Sequence, residues 1–309
     1  MIVVCGEALI DVIRDLDGTE HSAPGGGPFN TARALARLGV PVAFLGRLST
    51  DTSGKLLTEL LATDGVDLGL ASFGPEPTTQ AIATVLADGT TAYAFRYEGT
   101  SAPNLAANML PEQLGTEVDA IHFGTLGLVF EPMASSLTGL VRRERVGRLV
   151  VADPNIRTGL IDDSEYRARL KDVIAVSSLV KASEADLAFL MPGSTIENAA
   201  AALIAGGASL AVATLGDRGA FAAHRDLRIH VAAPPVEVVD TIGAGDAFGA
   251  GLLAWLHDHD KISADLSLDE QELRSAVDYA CRVAAITCTR RGADPPWKRE
   301  LELARDQAR

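Results

Sequence analysis

Positive charge is scarce in this 309-residue chain. Lys and Arg number 27 against 41 Asp and Glu, a formal net charge of −14 at pH 7. Neutralising a phosphate backbone takes a basic face, so a nucleic-acid partner is not expected. Cysteine is scarce too. Cys5, Cys281 and Cys288 are odd in number and far apart, which argues against a disulfide framework. Buried, reduced thiols in a cytoplasmic protein are the expected state. No Cys/His spacing fits zinc, and His257-Asp258-His259 reads as a solvated helix end. No apolar run approaches about 18 residues, so no membrane-spanning helix is expected. The start, Met1-Ile2-Val3-Val4-Cys5-Gly6-Glu7, lacks a basic leader and a cleavage site, and reads as a buried first strand. There is no Walker A loop: Gly54-Lys55 lacks the upstream glycine and the Ser/Thr. No internal repeat or low-complexity linker interrupts the chain.

Apolar residues are plentiful, at 47%, enough for one large globular domain with a small appendage. Strand-like runs fall at Ile2–Cys5, Val42–Leu45, Ala120–Phe123, Leu149–Ala152, Leu179–Lys181 and Leu210–Thr214. Helical patterns lie between them, at Asn30–Leu38, Gly54–Leu61, Met133–Glu144, Ser164–Val176, Ser183–Leu190 and Ile196–Ala205. This alternation predicts an α/β fold with a mainly parallel sheet covered by helices on both faces. Ligands of such sheets bind at the carboxyl ends of the strands. Two segments break the pattern. Gln80–Leu86 and Thr91–Phe95 alternate with period two around Ala87-Asp88-Gly89-Thr90, a hairpin signal. Leu9–Ile13 leads into the turn Asp15-Leu16-Asp17-Gly18. Together they predict a small antiparallel lid, discontinuous in sequence, from about residues 10–22 and 78–102. Beyond Gly251 the chain reads as helical, over Leu252–His257 and from Asp269 to about Thr287.

The densest chemistry lies in Asp240-Thr241-Ile242-Gly243-Ala244-Gly245-Asp246-Ala247-Phe248-Gly249-Ala250-Gly251. It follows a strand-like Val236–Val239 and opens an apolar helix. Gly243 and Gly245 permit a tight turn that leaves amides free at a helix N-terminus, a ready anion site. Three readings compete: a bland glycine-rich helix start, a dinucleotide fingerprint, and a phosphotransferase turn. The fingerprint needs a strand ending at an acidic residue about 20 positions on. Asp265 has that spacing, but Lys261–Ser267 is too polar for a buried strand, and Asp246 would repel a pyrophosphate. Only the third reading employs Asp246, as the base for an attacking hydroxyl beside amides that hold the moving charge. A helix N-terminus favours the carboxylate, so Asp246 is expected to be ionised.

The other candidates are weaker singly. Pro24-Gly25-Gly26-Gly27-Pro28-Phe29-Asn30 bares backbone to a polyhydroxylated ligand, with Asn30 able to donate and accept; a flexible loop capped by Asn30 is the plain alternative. Asp11 is the acceptor that would pair with it, or else a turn residue. Thr214-Leu215-Gly216-Asp217-Arg218-Gly219 closes a strand, either at a nucleotide edge or as an ordinary turn. Glu184 and Asp186, after Lys181 at a helix start, would order Mg²⁺ waters or simply face the helix dipole. Arg157, after Asp153-Pro154-Asn155, would meet a phosphate or form a surface pair.

Taken together, these residues resemble the ribokinase-like, PfkB-type family of carbohydrate kinases over essentially the whole chain. Gly25–Asn30 through Gly46–Gly54 is similar to its N-terminal signature, and Asp240–Gly251 to its C-terminal one. The resemblance implies a three-layer α/β/α fold with a β lid, and a kinase using ATP and Mg²⁺. It implies that Asp246 is the base and that Gly243, Ala244 and Gly245 supply the anion hole. It implies that Asp11, Gly26, Gly27 and Asn30 hold the sugar and that Arg157 faces the phosphate end. Thr214, Gly216 and Gly219 fall along the ATP site with Lys181 and Cys281. The family's metal-linked Asn-x-x-Glu falls on Ser183 and Asp186, a departure that weakens a direct Mg²⁺ contact and leaves one through water. A K⁺ site is implied near Asp240. Within the family, Asp153–Ile161, Tyr166–Leu170 and Val180–Leu187 resemble fructokinases. Kinases of 2-keto-3-deoxygluconate are similar here, and Arg96 would pair with a sugar-acid carboxylate. A sugar sensor without catalysis is the third reading. The lid's open edge adds an expected homodimer.

Overall fold

The computed structural model describes residues 1–309 except 15, 86–90, 158, 159, 161, 162, 308 and 309. The turn expected at Ala87–Thr90 lies outside the described residues. The N-terminal half runs β1 (Ile2–Cys5), β2 (Leu9–Arg14), β3 (Glu20–Gly25), α1 (Gly27–Arg37), β4 (Val42–Leu45), β5 (Arg47–Ser49), α2 (Thr52–Asp64), β6 (Ser72–Gly74), β7 (Gln80–Val85) and β8 (Thr91–Arg96). It is followed by β9 (Ala120–Gly124), α3 (Met133–Glu144), β10 (Leu149–Asp153), α4 (Asp163–Ile174), β11 (Leu179–Ser183), α5 (Glu184–Leu190) and α6 (Ile196–Ala205). The rest is β12 (Leu210–Thr214), β13 (Ala220–His224), β14 (Leu227–Val231), α7 (Ala244–Asp258), α8 (Glu270–Cys288) and α9 (Lys298–Gln307).

The main sheet has the order β14-β13-β12-β11-β10-β9-β1-β4. Its strands from β12 to β4 are parallel, and β13 and β14 add an antiparallel edge. Period-two alternation explains why these strands read as unbroken apolar runs. Ile2 and Val4 of β1 join a core with Phe29 and Leu35 of α1 and with residues of α7 and α8. Val3 and Cys5 face the other way, into a core with Leu137 of α3 and Leu170 of α4. On β12, Leu210 and Val212 enter the first core while Ala211 and Ala213 pack with α6. Both faces are therefore covered, as the sequence predicts.

Close packing brings α7 to its neighbours. A Cβ at Gly251 would lie 3.0 Å from Ala280 Cα, so α8 passes at backbone contact. The N-terminal end of α1 also meets α7, which carries Asn30 to Asp246.

The lid has the order β3-β2-β7-β8. It differs from the expectation in two respects. The strand after the first turn runs on to Gly25, and β2 pairs with β7 in parallel, Asp11 opposite Ala81. The lid is therefore mixed rather than antiparallel, because β7 returns only after a long excursion through β4, α2 and β6. The strand read at Val236–Val239 is a further correction. The structure has no strand there. Pro234 and Pro235 supply no amide donors to a ladder, and Val238 and Val239 stay more than half exposed.

Candidate active site

Two cavities meet at the start of α7. The first, about 740 Å³, lies between the lid and the carboxyl ends of the main-sheet strands. Asp11, Gly26, Gly27, Asn30, Arg157, Lys181, Asp186, Gly243 and Asp246 line it. The second, about 530 Å³, is more apolar and is lined by Gly219, Pro234, Val236, Ala244, Phe248 and Cys281 among others. Thr214, Gly216, Thr241 and Gly245 border both. A larger groove of about 920 Å³ between β14, α7 and α8 contains none of the candidate residues.

The turn between the cavities is built by glycine. Gly243 caps α7 with φ 75°, a left-handed conformation that disfavours other residues. A Cβ there would also lie 2.5 Å from Ala293 Cβ. No side chain caps the helix. The Ala244 amide turns back to the Thr241 carbonyl at 3.2 Å. Among the described residues, the Gly245 and Asp246 amides have no hydrogen-bond partner, so they are the free donors of this N-terminus.

Asp246 is buried and held on one oxygen. Asn30 Nδ2 donates to Asp246 Oδ2 at 2.9 Å, while a Cβ built on Gly27 would lie 3.3 Å from Oδ1. Asn30 Oδ1 is buried and unpartnered among the described residues. Lys181 lies beneath the turn, its Nζ 2.7 Å from Asp153 Oδ2 and 3.1 Å from a Cβ built on Gly245. Burial pushes the Lys181 ammonium down, but Asp153, Asp246 and Asp186 outweigh it and its pKa rises.

Burial opposes the ionisation expected of Asp246 from the helix terminus alone. Burial pushes its pKa up to about 7, with Asp153 adding to the rise against Lys181, Asn30 and Arg157. Desolvation outweighs the helix terminus because the carboxyl lies inside the fold instead of at its surface. Two further carboxyls behave alike. Burial raises Asp11 to about 6, opposed by Arg157. Burial raises Glu7 to about 7, although Glu7 accepts from Thr125 Oγ1 at 2.6 Å and from the Gly127 amide at 3.2 Å.

Glu7 and Thr125 line the first cavity and were not singled out from sequence. Glu7 did carry a signal, since it is the first charge after an apolar strand at a sheet's carboxyl end. Thr125 carried none; it follows β9 with φ 49°.

Several candidates are placed differently from the rest. Arg96 lines neither cavity: Phe95 faces the first, and strand alternation turns Arg96 to the exposed side of the lid. Asp240 also lies outside both; Oδ1 accepts from the Ile242 amide at 3.0 Å and Oδ2 from the Gly292 amide at 2.8 Å. Glu184 lines the first cavity but is exposed there and pairs with Arg218 at 2.5 Å. Among the described residues, no group of three or more His, Cys, Asp or Glu could hold a metal ion, and no helix is long and apolar enough to cross a membrane.

A model of the pfkB family of carbohydrate kinases matches residues 1–299. The chain belongs to that family. It is 40% identical to a fructokinase of Rhizobium leguminosarum bv. trifolii, covering 90% of this chain and 87% of the relative. It superposes on the fructokinase of Xylella fastidiosa with bound ATP at a TM-score of 0.90 and 26% identity, covering 100% of this chain and 99% of that one. It superposes on the fructokinase of Vibrio cholerae O395 with bound fructose, ADP and calcium ion at 0.81 and 29% identity, covering 94% of each. The ribokinase-like fold and the kinase class are thereby established for this pfkB chain.

The raised carboxyls make its stability depend on pH. A carboxyl with a higher pKa folded than unfolded retains its proton longer in the folded state. Its contribution is present below about pH 4 and is lost as pH rises through about 7. Asp246→Asn is therefore expected to melt a few degrees above the parent protein at pH 8 and close to it near pH 4. Melting curves at the two pH values test this; equal or lower stability of the variant at pH 8 contradicts it.

Proposed function

We propose that this pfkB chain is an ATP-dependent fructokinase that transfers the γ-phosphoryl group to a primary hydroxyl of fructose. The observation that carries the reading is the junction of the two cavities at Gly245 and Asp246. The first is polar and of a size for a monosaccharide with the phosphoryl group; the second is apolar and suits a nucleobase. The names of the similar proteins support fructose as the sugar. Arg96, exposed and lining neither cavity, lends no support to a sugar-acid substrate.

In this reading Asp11, Asn30 and the backbone of Gly26 and Gly27 hold the sugar hydroxyls. Asp246 Oδ1 takes the proton of the attacking hydroxyl while Asn30 fixes Oδ2. A pKa near 7 suits a base working near neutral pH. The amides of Gly245 and Asp246 and the charges of Lys181 and Arg157 face the charge that develops on the transferring group. Thr214, Gly216, Gly219 and Cys281 line the nucleotide side. The four-stranded lid closes over the sugar within a single domain and excludes water. Mg²⁺ would travel on the nucleotide's phosphates and neutralise charge there, since among the described residues no carboxylate cluster offers it a resident site. K⁺ belongs to the proposal through the turn at Asp240. Edge strands β3 and β8 of the lid are the expected homodimer seam, and a cytoplasmic location completes the reading.

The test is ADP release with ATP, Mg²⁺ and K⁺ over a sugar panel. Saturating turnover on fructose, unchanged in Arg96→Ala, is expected. Turnover confined to 2-keto-3-deoxygluconate, and lost in Arg96→Ala, would replace fructose by the sugar acid.

A further inference from the structure

The Ser183-x-x-Asp186 segment stands where the family has its metal-linked motif, yet its hydrogen bonds point elsewhere. Asp186 is 5% exposed. Its Oδ2 accepts from the Ser183 amide and the Ser183 hydroxyl, both at 2.7 Å, in a capping box that starts α5. Its Oδ1 accepts from the Ile156 amide at 2.7 Å, across 30 residues of chain. A carboxylate offers about four acceptor sites, and three are filled from within the protein. A divalent cation on Oδ1 would have to share it with the Ile156 N–H.

Ile156 belongs to the turn after β10. The preceding Asn155 is left-handed, with φ 39°. The following Arg157 donates Nη1 to Asn155 Oδ1 at 2.7 Å and to the Asn155 carbonyl at 3.1 Å. Arg157 lines the sugar cavity, and its charge acts on Glu7, Asp11, Asp153 and Asp246. One amide bond to a buried side chain thus anchors the turn that carries the cavity's exposed cation.

We infer that Asp186 is a positioning residue: it holds the Asn155–Arg157 turn so that the Arg157 guanidinium meets the phosphate end of the site, and it is not a magnesium ligand. The inference rests on the kinase reading for what Arg157 meets. Asn at 186 keeps one acceptor oxygen for the Ile156 amide and gives up the second, on which the Ser183 amide rests, so it preserves the anchor at some cost to the α5 cap; a metal contact needs the charge.

The test is a double-mutant cycle of Asp186→Ala and Arg157→Ala in the full chain, with Asp186→Asn as the conservative variant. Asp186→Ala is expected to lower kcat/KM roughly tenfold in the parent and less than about twofold in Arg157→Ala, the coupling of residues acting through one contact. Asp186→Asn is expected to recover most of the loss, with the Mg²⁺ concentration for half-maximal rate unchanged. Equal losses in both backgrounds would overturn the inference. So would an Asp186→Asn variant as impaired as Asp186→Ala, with a raised Mg²⁺ requirement. The same cycle read as the calorimetric Kd for ATP needs no turnover. Additive effects on Kd count against the positioning role, whereas absent turnover of the parent with ATP binding intact counts against the kinase reading instead. Should Asp186→Ala fail to fold, Asp186→Asn is read against the parent: kcat/KM within a few fold at an unchanged Mg²⁺ requirement supports the inference, and a larger loss with a raised Mg²⁺ requirement overturns it.

Discussion

Asp246→Asn is expected to bind fructose with near-parental affinity and to lose about 10²–10⁴-fold in kcat, the usual contribution of a positioned general base. The variant keeps the shape of the side chain and an oxygen for Asn30 Nδ2, which now donates to Asp246 Oδ2 at 2.9 Å. It removes only the ability to take a proton. Since the folded structure also carries the cost of burying this carboxyl, the variant should lose turnover while gaining stability at pH 8. Loss of activity through unfolding cannot produce that pair of results. Calorimetric sugar binding and steady-state kinetics on one preparation test it, and near-parental kcat would refute the base assignment.

Gly27→Val is expected to lower kcat/KM on the order of 10²-fold, the cost of about 1 Å of misplacement at reacting groups. A Cβ at Gly27 would lie 2.7 Å from Thr125 Cγ2 and 3.3 Å from Asp246 Oδ1. The added methyl groups therefore enter the space between the proposed base and the sugar. Thr125 has little room to retreat: it is left-handed and its hydroxyl donates to buried Glu7. The loss should fall on sugar KM and kcat, while the Kd for ATP, whose base site lies across the turn, changes little. An unaltered kcat/KM would show that the sugar does not approach Gly27.

How much of this was legible beforehand varied with the range of the interactions. The turn at Gly243–Asp246 could be read because glycine and aspartate carry local meaning there, in conformation and in charge. The parallel strands could be read because both faces are buried and the runs are unbroken. The β13–β14 edge hairpin was missed, since Ala220–His224 and Leu227–Val231 surround a polar turn, Arg225-Asp226, without the glycine or asparagine that marks tight hairpins. The parallel pairing of β2 with β7 was invisible because register across a long excursion leaves no local trace. The rise in the Asp246 pKa is not legible in sequence for a related reason. A helix terminus is visible in sequence, but desolvation depends on what the lid, α1 and the strand ends bring over it. The role of Asp186 likewise became readable only once the Ile156 amide was seen to face it.

The central claim is that the two cavities pass a phosphoryl group across the Gly245–Asp246 junction to a neutral ketose. The most direct measurement follows the γ-phosphorus of ATP by phosphorus NMR in the presence of the protein, Mg²⁺, K⁺ and fructose. The account predicts a single phosphomonoester on a primary carbon of fructose, formed in step with ADP. Appearance of the γ-phosphorus as inorganic phosphate, or ATP left intact with fructose bound, would contradict it.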